Sequence, residues 1–401
     1  MSSGQRGSYA LAMTTTFRAR AAAVLATLAL ASAPFVGTTP QATAQPNGTK
    51  VTKVGSARVE TTFNKKGSTA QISKAVALIN GAPSGATIRM GIYNVTHSSI
   101  VSAIRRAHNR GVRVYVVMNG SHARDAVPQQ IRAIIGSRFK NCASKGTNPC
   151  ISTASGHMHA KYMTLSTTRD SAGTVRKKVV WYSSANFSAS GWDLSNNAVT
   201  VYGDSALYAG FLSDVWTPMW EQRSYSGNDY YVAGSERGYV DSRYSKHTVY
   251  VSPEQTTDLV ANRLAYVNPG RDCDVRVMQA QVTGSRSAVL KQLVRLKKGG
   301  CGVRLVTGKG TTGLTASARS TLNKGGISDA YIESQKPIHD KAFIIKARYA
   351  GSSTPRYVVL TGSHNVTGPA LRSNDEILTK VTDSKGFYDG FRSHFDDVYY
   401  G

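Results

Sequence analysis

The chemistry available to this sequence lies in two pairs of basic side chains. His157-Met158-His159-Ala160-Lys161 places a histidine and a lysine two positions apart, and Pro337-Ile338-His339-Asp340-Lys341 does so again. Each pair opens an apolar, β-forming run. Beyond each run stands a Ser-x-Asn sequence, Ser184-Ala185-Asn186 and Ser363-His364-Asn365. The histidines His159 and His339 are 180 positions apart, and the asparagines Asn186 and Asn365 are 179 apart. That near-constant offset points to a duplicated unit. Residues two apart on a strand share a face, so each histidine is expected beside its lysine on a β-strand.

An imidazole can attack phosphorus or hand over a proton near neutral pH. One imidazole cannot readily do both on opposite sides of a phosphodiester. Two can, if a duplicated fold brings them face to face. Lys161 and Lys341 would supply fixed cations to the non-bridging oxygens, whose charge grows in the transition state. Ser184, Ser363, Asn186 and Asn365 would donate further hydrogen bonds. A covalent phosphohistidine divides one hard displacement into two. This chemistry needs no metal and no cofactor, and cysteine spacing does not resemble a zinc site.

The elements around the pairs repeat in order. A helix is expected over 68–80, with Ile72, Ala75, Val76 and Ile79 on one face, then a strand over 88–95. A helix over 100–109 closed by Gly111 and a strand over 112–118 follow. In the second half a helix over 256–267, a strand over 274–282, a helix over 287–298 and a strand over 303–307 repeat the order. Helices alternating with buried strands imply an α/β sandwich in each half. Residues 45–67 read as a loose lead-in with at most one strand, and Glu221 to Lys246, rich in Ser, Gly, Tyr and Arg, as a connection. The divisions are therefore 1–44, 45–221, 222–246 and 247–401.

The first of these reads as an export signal: Arg18 and Arg20, a short apolar run from Ala21 to Ala33, and a small-x-small cleavage site ending at Ala44. A secreted protein is the expectation, and with it two local disulfides, Cys142–Cys150 and Cys273–Cys301. The latter two cysteines each precede a predicted strand, and parallel neighbouring strands would bring them together. The 401 residues include 49 Lys and Arg against 23 Asp and Glu, a net charge of +26. Such an excess implies an anionic, phosphate-bearing partner, whether nucleic acid, a membrane surface touched peripherally, or a small substrate. A duplicated chain builds its site within one monomer, so no protein partner is required.

The paired pattern resembles the phospholipase D superfamily, whose signature is His-x-Lys, an Asp five residues later, and Gly-Ser-x-Asn. The resemblance spans nearly all of the mature chain. It implies two similar α/β halves with the site at their interface, one histidine phosphorylated and the other protonating the leaving alcohol. His159, Lys161, Ser184 and Asn186 match one motif; His339, Lys341, Ser363 and Asn365 match the other. Ser166 and Lys346 stand where the family has aspartate, and Ser183 replaces the first motif's glycine. Family members often carry an acidic residue about eleven beyond the asparagine that orients a histidine. Glu376 holds that place in the second half and the neutral Asn197 in the first. A carboxylate there fixes the tautomer and stabilises the imidazolium, so His339 is expected to have the higher pKa unless Asp193 serves His159. Family precedent makes His159 the nucleophile and His339 the acid.

The resemblance further implies a secreted phosphodiesterase that hydrolyses phospholipids to phosphatidic acid and a free headgroup alcohol. A metal-independent secreted nuclease is the alternative within the superfamily, since +26 suits DNA equally. A non-catalytic binder of anionic lipid or nucleic acid is the alternative outside it, suggested by the two missing aspartates. Retention of both His-Lys pairs favours the enzyme. His157 is expected to be structural or solvated, Glu333 a surface charge, and Trp181, Trp216 and Trp220 mostly core; His364 and Trp192 are candidates to line the cleft.

Overall fold

The structure, a computed structural model, describes residues 48–401 except 66, 144, 145, 147, 190–193, 328–330 and 334–337. The expected export signal, Trp192 and Asp193 lie outside the described residues. Both halves fall within one compact unit, Ala42–Gly401.

The first half begins with β1 (Thr49–Val54) and β2 (Ala57–Asn64), so the expected loose lead-in is two paired strands. Its polar composition misleads because β2 satisfies its polar groups internally. The buried Glu60 carboxylate takes the Lys74 ammonium and the Tyr202 hydroxyl, and Asn64 Oδ1 accepts Gln71 N at 3.0 Å. A helix at Ala70–Asn80 leads to β3 (Thr87–Ile92), and a helix at Ser98–Asn109 to β4 (Arg113–Met118). Ile100, Ile104 and Ala107 face inward as their spacing requires. Then come β5 (Phe139–Asn141), β6 (Tyr162–Arg169), β7 (Val175–Ser183) and β8 (Asn196–Tyr202).

The second half runs β9 (Tyr239–Ser242), β10 (His247–Ser252), a helix at Leu259–Ala265, β11 (Val267–Asn268) and β12 (Asp274–Gln279). The expected 256–267 helix is shortened at both ends. Asp258 caps its start by accepting from Val260 N and Ala261 N, and Val267 pairs with a strand instead of continuing the turn. A helix at Ser287–Lys298 precedes β13 (Gly302–Thr307), β14 (Tyr331–Glu333), β15 (Lys341–Tyr349), β16 (Pro355–Gly362) and β17 (Glu376–Thr382). The chain closes with a helix at Lys385–Tyr399. The segment read as a connection contributes β9, which pairs antiparallel with β10.

The duplication is plain in the topology. The first sheet has the order β1-β2-β8-β7-β6-β3-β4-β5, and the main path of the second, read from its other edge, is β9-β10-β17-β16-β15-β12-β13-β14. One apolar core joins the inner faces of both sheets, with Tyr162, Val199 and Val201 from one and Ile344, Val359 and Ile377 from the other. Separate cores under the helices cover each outer face. The result is a four-layer α/β sandwich whose halves meet sheet to sheet. Phe387, Phe391 and Phe395 of the last helix enter the shared core. Disulfides join Cys142 to Cys150 and Cys273 to Cys301, the second at the adjacent starts of parallel β12 and β13.

Candidate active site at the seam of two sheets

Neither histidine lies on its strand. β6 begins at Tyr162 and β15 at Lys341, so His159 and His339 occupy extended segments just ahead. Their amides turn to the opposite half rather than to the sheet. His159 N donates to Asp375 O and His339 N to Ser195 O, each at 2.9 Å. Isolated bridges Met158–Asp375 and Ser195–Ile338 complete the exchange. Each half therefore positions the other's histidine, and both imidazoles open into one cleft of about 740 Å³. Asn365 also lines it, and the buried amide oxygens of Asn186 and Asn365 have no hydrogen-bond partner among the described residues.

Glu376 lies on His159 and not on His339. The His159 Nδ1–H donates to the Glu376 carboxylate at 2.8 and 2.9 Å across the interface. The group at His339 Nδ1 is Asn196 Oδ1, at 2.8 Å. Asn197, reached by counting eleven from Asn186, instead donates its amide to Asp340 Oδ1 at 2.6 Å. The exchange of segments explains both differences: a carboxylate on one half's strand faces the histidine of the other. Asn196 and Glu376 are 180 apart, the offset of the histidines themselves, and that spacing was the signal that would have found Asn196.

Burial dominates the electrostatics. It pulls the His159 imidazole down to about 4, against the attraction of Glu376 and with help from Lys161. His339 is pushed well below the usual range by burial, then by Lys341, Lys161 and His159. The expected elevation of His339 is thus reversed, because its ring is held by the neutral Asn196 amide and no carboxylate faces it among the described residues. Burial would raise the Glu376 carboxyl, but His159 and Lys161 outweigh it and hold it at about 2. Burial lowers Lys341 to about 7 against the pull of Glu376 and Asp340, and it lowers Lys161 strongly. At neutral pH Glu376 is therefore ionised and both imidazoles are neutral.

Each lysine binds the carbonyl of its own histidine: Lys161 Nζ donates to His159 O, and Lys341 Nζ to His339 O at 2.7 Å, and Lys341 also donates to Ser184 O of the other half at 3.3 Å and stands 3.1 Å from His339 Nδ1. The serine hydroxyls do not face the cleft. Ser184 Oγ donates to Asn196 Oδ1 at 3.0 Å and Ser363 Oγ to Glu376 Oε2 at 2.5 Å, so each serine braces the group that holds a histidine. Ser166 Oγ, at a family aspartate position, accepts Thr87 N at 2.9 Å.

Several residues of the site carried no sequence signal of their own. The buried Asp340 accepts from Ser195, Asn197 and His394, tying together the residues on either side of Asn196. Asp375 receives the amides of Cys150, Ile151 and Ser152, which anchors the loop before His159. Tyr93 and His157 line the cleft, with the Tyr93 ring 5.2 Å from His159 and 5.4 Å from His157. His364 turns inward, its Nδ1–H donating to Asn365 O at 2.9 Å. Trp181 and Trp216 are core, and Trp220 packs against it half-buried.

A family model described as "Cardiolipin synthase, PLD-like domain" matches residues 76–216 and 271–399. No curated protein matches the sequence. Among solved structures, phosphatidylserine synthase from Haemophilus influenzae Rd KW20 is similar with a TM-score of 0.51 at 10% identity, over 87% of this chain and 85% of that one. Nuc, a phospholipase D family member from Salmonella typhimurium, aligns with a TM-score of 0.30 at 21% identity, over 41% of this chain and 94% of its own. Polyphosphate kinase from Porphyromonas gingivalis aligns with a TM-score of 0.48 at 13% identity over 81% of this chain. The chain spans 47% of that kinase's length.

Proposed function

The chain belongs to the phospholipase D superfamily, within the family of the PLD-like domain, and on that premise we propose that it is a metal-independent phosphodiesterase working through a phosphohistidine. The observation that carries this reading is the pair of imidazoles from opposite halves opening into one cleft, one backed by a carboxylate and the other by an amide.

His159 is the nucleophile. With its Nδ1–H held by Glu376, the Nε2 lone pair is free and the tautomer fixed. Nε2 attacks phosphorus, the P–O bond to the leaving alcohol breaks, and that oxygen takes a proton from His339. The anion of the bound diester is what charges His339 beforehand, against burial and Lys341. In the second step His339 removes a proton from water, the hydroxide attacks phosphorus, and the P–N bond breaks. Lys161, Lys341 and the asparagine amides offset charge on the non-bridging oxygens.

The reading implied by the resemblance is hydrolysis of phospholipid headgroups by a secreted protein. Nucleic-acid cleavage is favoured by one specific observation. Among its described lining residues the cleft has the exposed Lys309 and no carboxylate, on a chain of net charge +26. The test is release of choline from phosphatidylcholine vesicles and cleavage of plasmid DNA, both in EDTA, by wild type, His159→Ala and His339→Ala. Activity that survives EDTA and is lost in both variants is the expected result. Turnover unaffected by both substitutions would overturn the paired-histidine mechanism, and tight salt-sensitive binding without turnover would make the protein a binder.

A further inference from the structure

The two walls of the cleft differ in chemistry, and the direction of the reaction says which part of the substrate meets each. Displacement at phosphorus proceeds in line, so the leaving oxygen lies across phosphorus from the His159 nitrogen, on the side of His339. The sheet order fixes what flanks His339. β12 neighbours β15, Ala280 N donates to Asp340 O at 3.0 Å, and Gly308 N donates to Gln279 O at 3.3 Å. The chain just beyond β12 and β13 therefore forms the wall next to His339, and it lines the cleft through Gln281, Thr283, Lys309 and Thr312.

This wall is held closely. Val282 N donates to Gly313 O at 2.7 Å, and Thr312 Oγ1 donates to Lys309 O at 3.1 Å. A Cβ on Gly313 would sit 1.8 Å from Gly308 O, so the loop can close only with glycine there. Lys309 is presented by this closed loop, is exposed, and pairs with no carboxylate among the described residues. The wall beside His159 carries instead the rings of Tyr93 and His157, 5.4 Å apart.

Resting on the phosphodiesterase reading, we propose that the Lys309 wall is a subsite for a second phosphate, one carried by the leaving alcohol, as the next nucleotide of a nucleic-acid strand carries it. A lysine ammonium is a point-charge binder of phosphate, and the threonine hydroxyls and the Gln281 amide add donors. The ring-lined wall suits a base on the retained side, because stacking needs only a π-face. A choline headgroup leaving toward Lys309 would meet like charge.

The experiment compares three thymidine dinucleotides: without a terminal phosphate, with a 5′-phosphate and with a 3′-phosphate. Wild type is expected to favour one phosphorylated form over the plain one by about tenfold in kcat/KM, a single well-placed charge contact. Lys309→Ala should bring that ratio close to one, and Lys309→Arg should restore most of it. Equal turnover of all three by wild type would overturn the subsite, as would an unchanged ratio in Lys309→Ala or preferential release of choline from phosphatidylcholine. Binding of the same dinucleotides to His159→Ala is measured in parallel. A phosphate preference in binding that depends on Lys309, with no turnover by wild type of the dinucleotides, plasmid DNA or phosphatidylcholine, would refute the phosphodiesterase reading and leave the subsite standing. No preference in binding would refute the subsite alone.

Discussion

Replacing Glu376 with glutamine tests the cross-interface pairing directly. The Glu376 carboxylate is buried among His159 Nδ1, Ser363 Oγ and Asn374 Nδ2, the last at 3.0 Å. Glutamine keeps the shape and one acceptor oxygen but removes the charge. A hydrogen bond to a charged group contributes about 1.5–3 kcal/mol and a neutral one about 0.5–1.5. The difference, about 1–2 kcal/mol, applies mainly when the imidazole gains positive charge in attacking phosphorus. At about 1.4 kcal/mol per decade that predicts a roughly 5- to 30-fold fall in kcat. Resting protonation does not enter. His159 already sits at about 4, and loss of the attracting carboxylate moves it lower still, so it is neutral at pH 7 in both proteins. The assay is quenched-flow formation and breakdown of the phosphoenzyme on a chromogenic diester at pH 7 in EDTA. The fall should appear in formation, with KM changed by less than about twofold. Unchanged formation with slowed breakdown would refute the pairing and put Glu376 in service of His339.

Two further outcomes follow from the same geometry. Lys341 lies at about 7 in the free protein and can neutralise phosphate oxygens only when protonated. kcat/KM should therefore decline as pH rises through about 7, whereas the limb in kcat should lie higher, because a bound phosphate anion favours the ammonium; Lys341→Met should abolish the limb, and a limb that persists would exclude this assignment. Removal of the Cys273–Cys301 disulfide, with a sequence separation of 28, should cost about 3.5 kcal/mol on a chain-entropy estimate, against about 2.5 for Cys142–Cys150, with a separation of 8. Urea midpoints of the paired Cys→Ser variants check the order, which a larger loss for the shorter loop would reverse.

How much of this was legible in the sequence follows from whether each signal is local or crosses between halves. The duplication, the four basic residues and both Ser-x-Asn turns needed only spacing, because a repeated unit repeats its register. The helix at Ser287–Lys298 and the parallel strands beside it were equally plain, since amphipathic period and turn residues act within a dozen positions. What sequence missed were contacts between segments far apart in the chain, some within a half and the decisive ones between the halves. Residues 45–67 read as a loose lead-in with at most one strand because Asn, Gly, Thr and Lys dominate them, and β2 is a buried strand because Lys74 and Tyr202, from later in the same half, satisfy its Glu60. Glu376 was counted to the wrong histidine because its nearest motif in sequence is the second one, while the sheets pack so that its carboxylate meets the first. Asn196 and Asp340 had no local mark at all. The sequence alone determined which side chains could do the chemistry. Only the tertiary structure decided which carboxylate serves which histidine, because hydrogen-bond partners follow distance in space, and here the two halves exchange them.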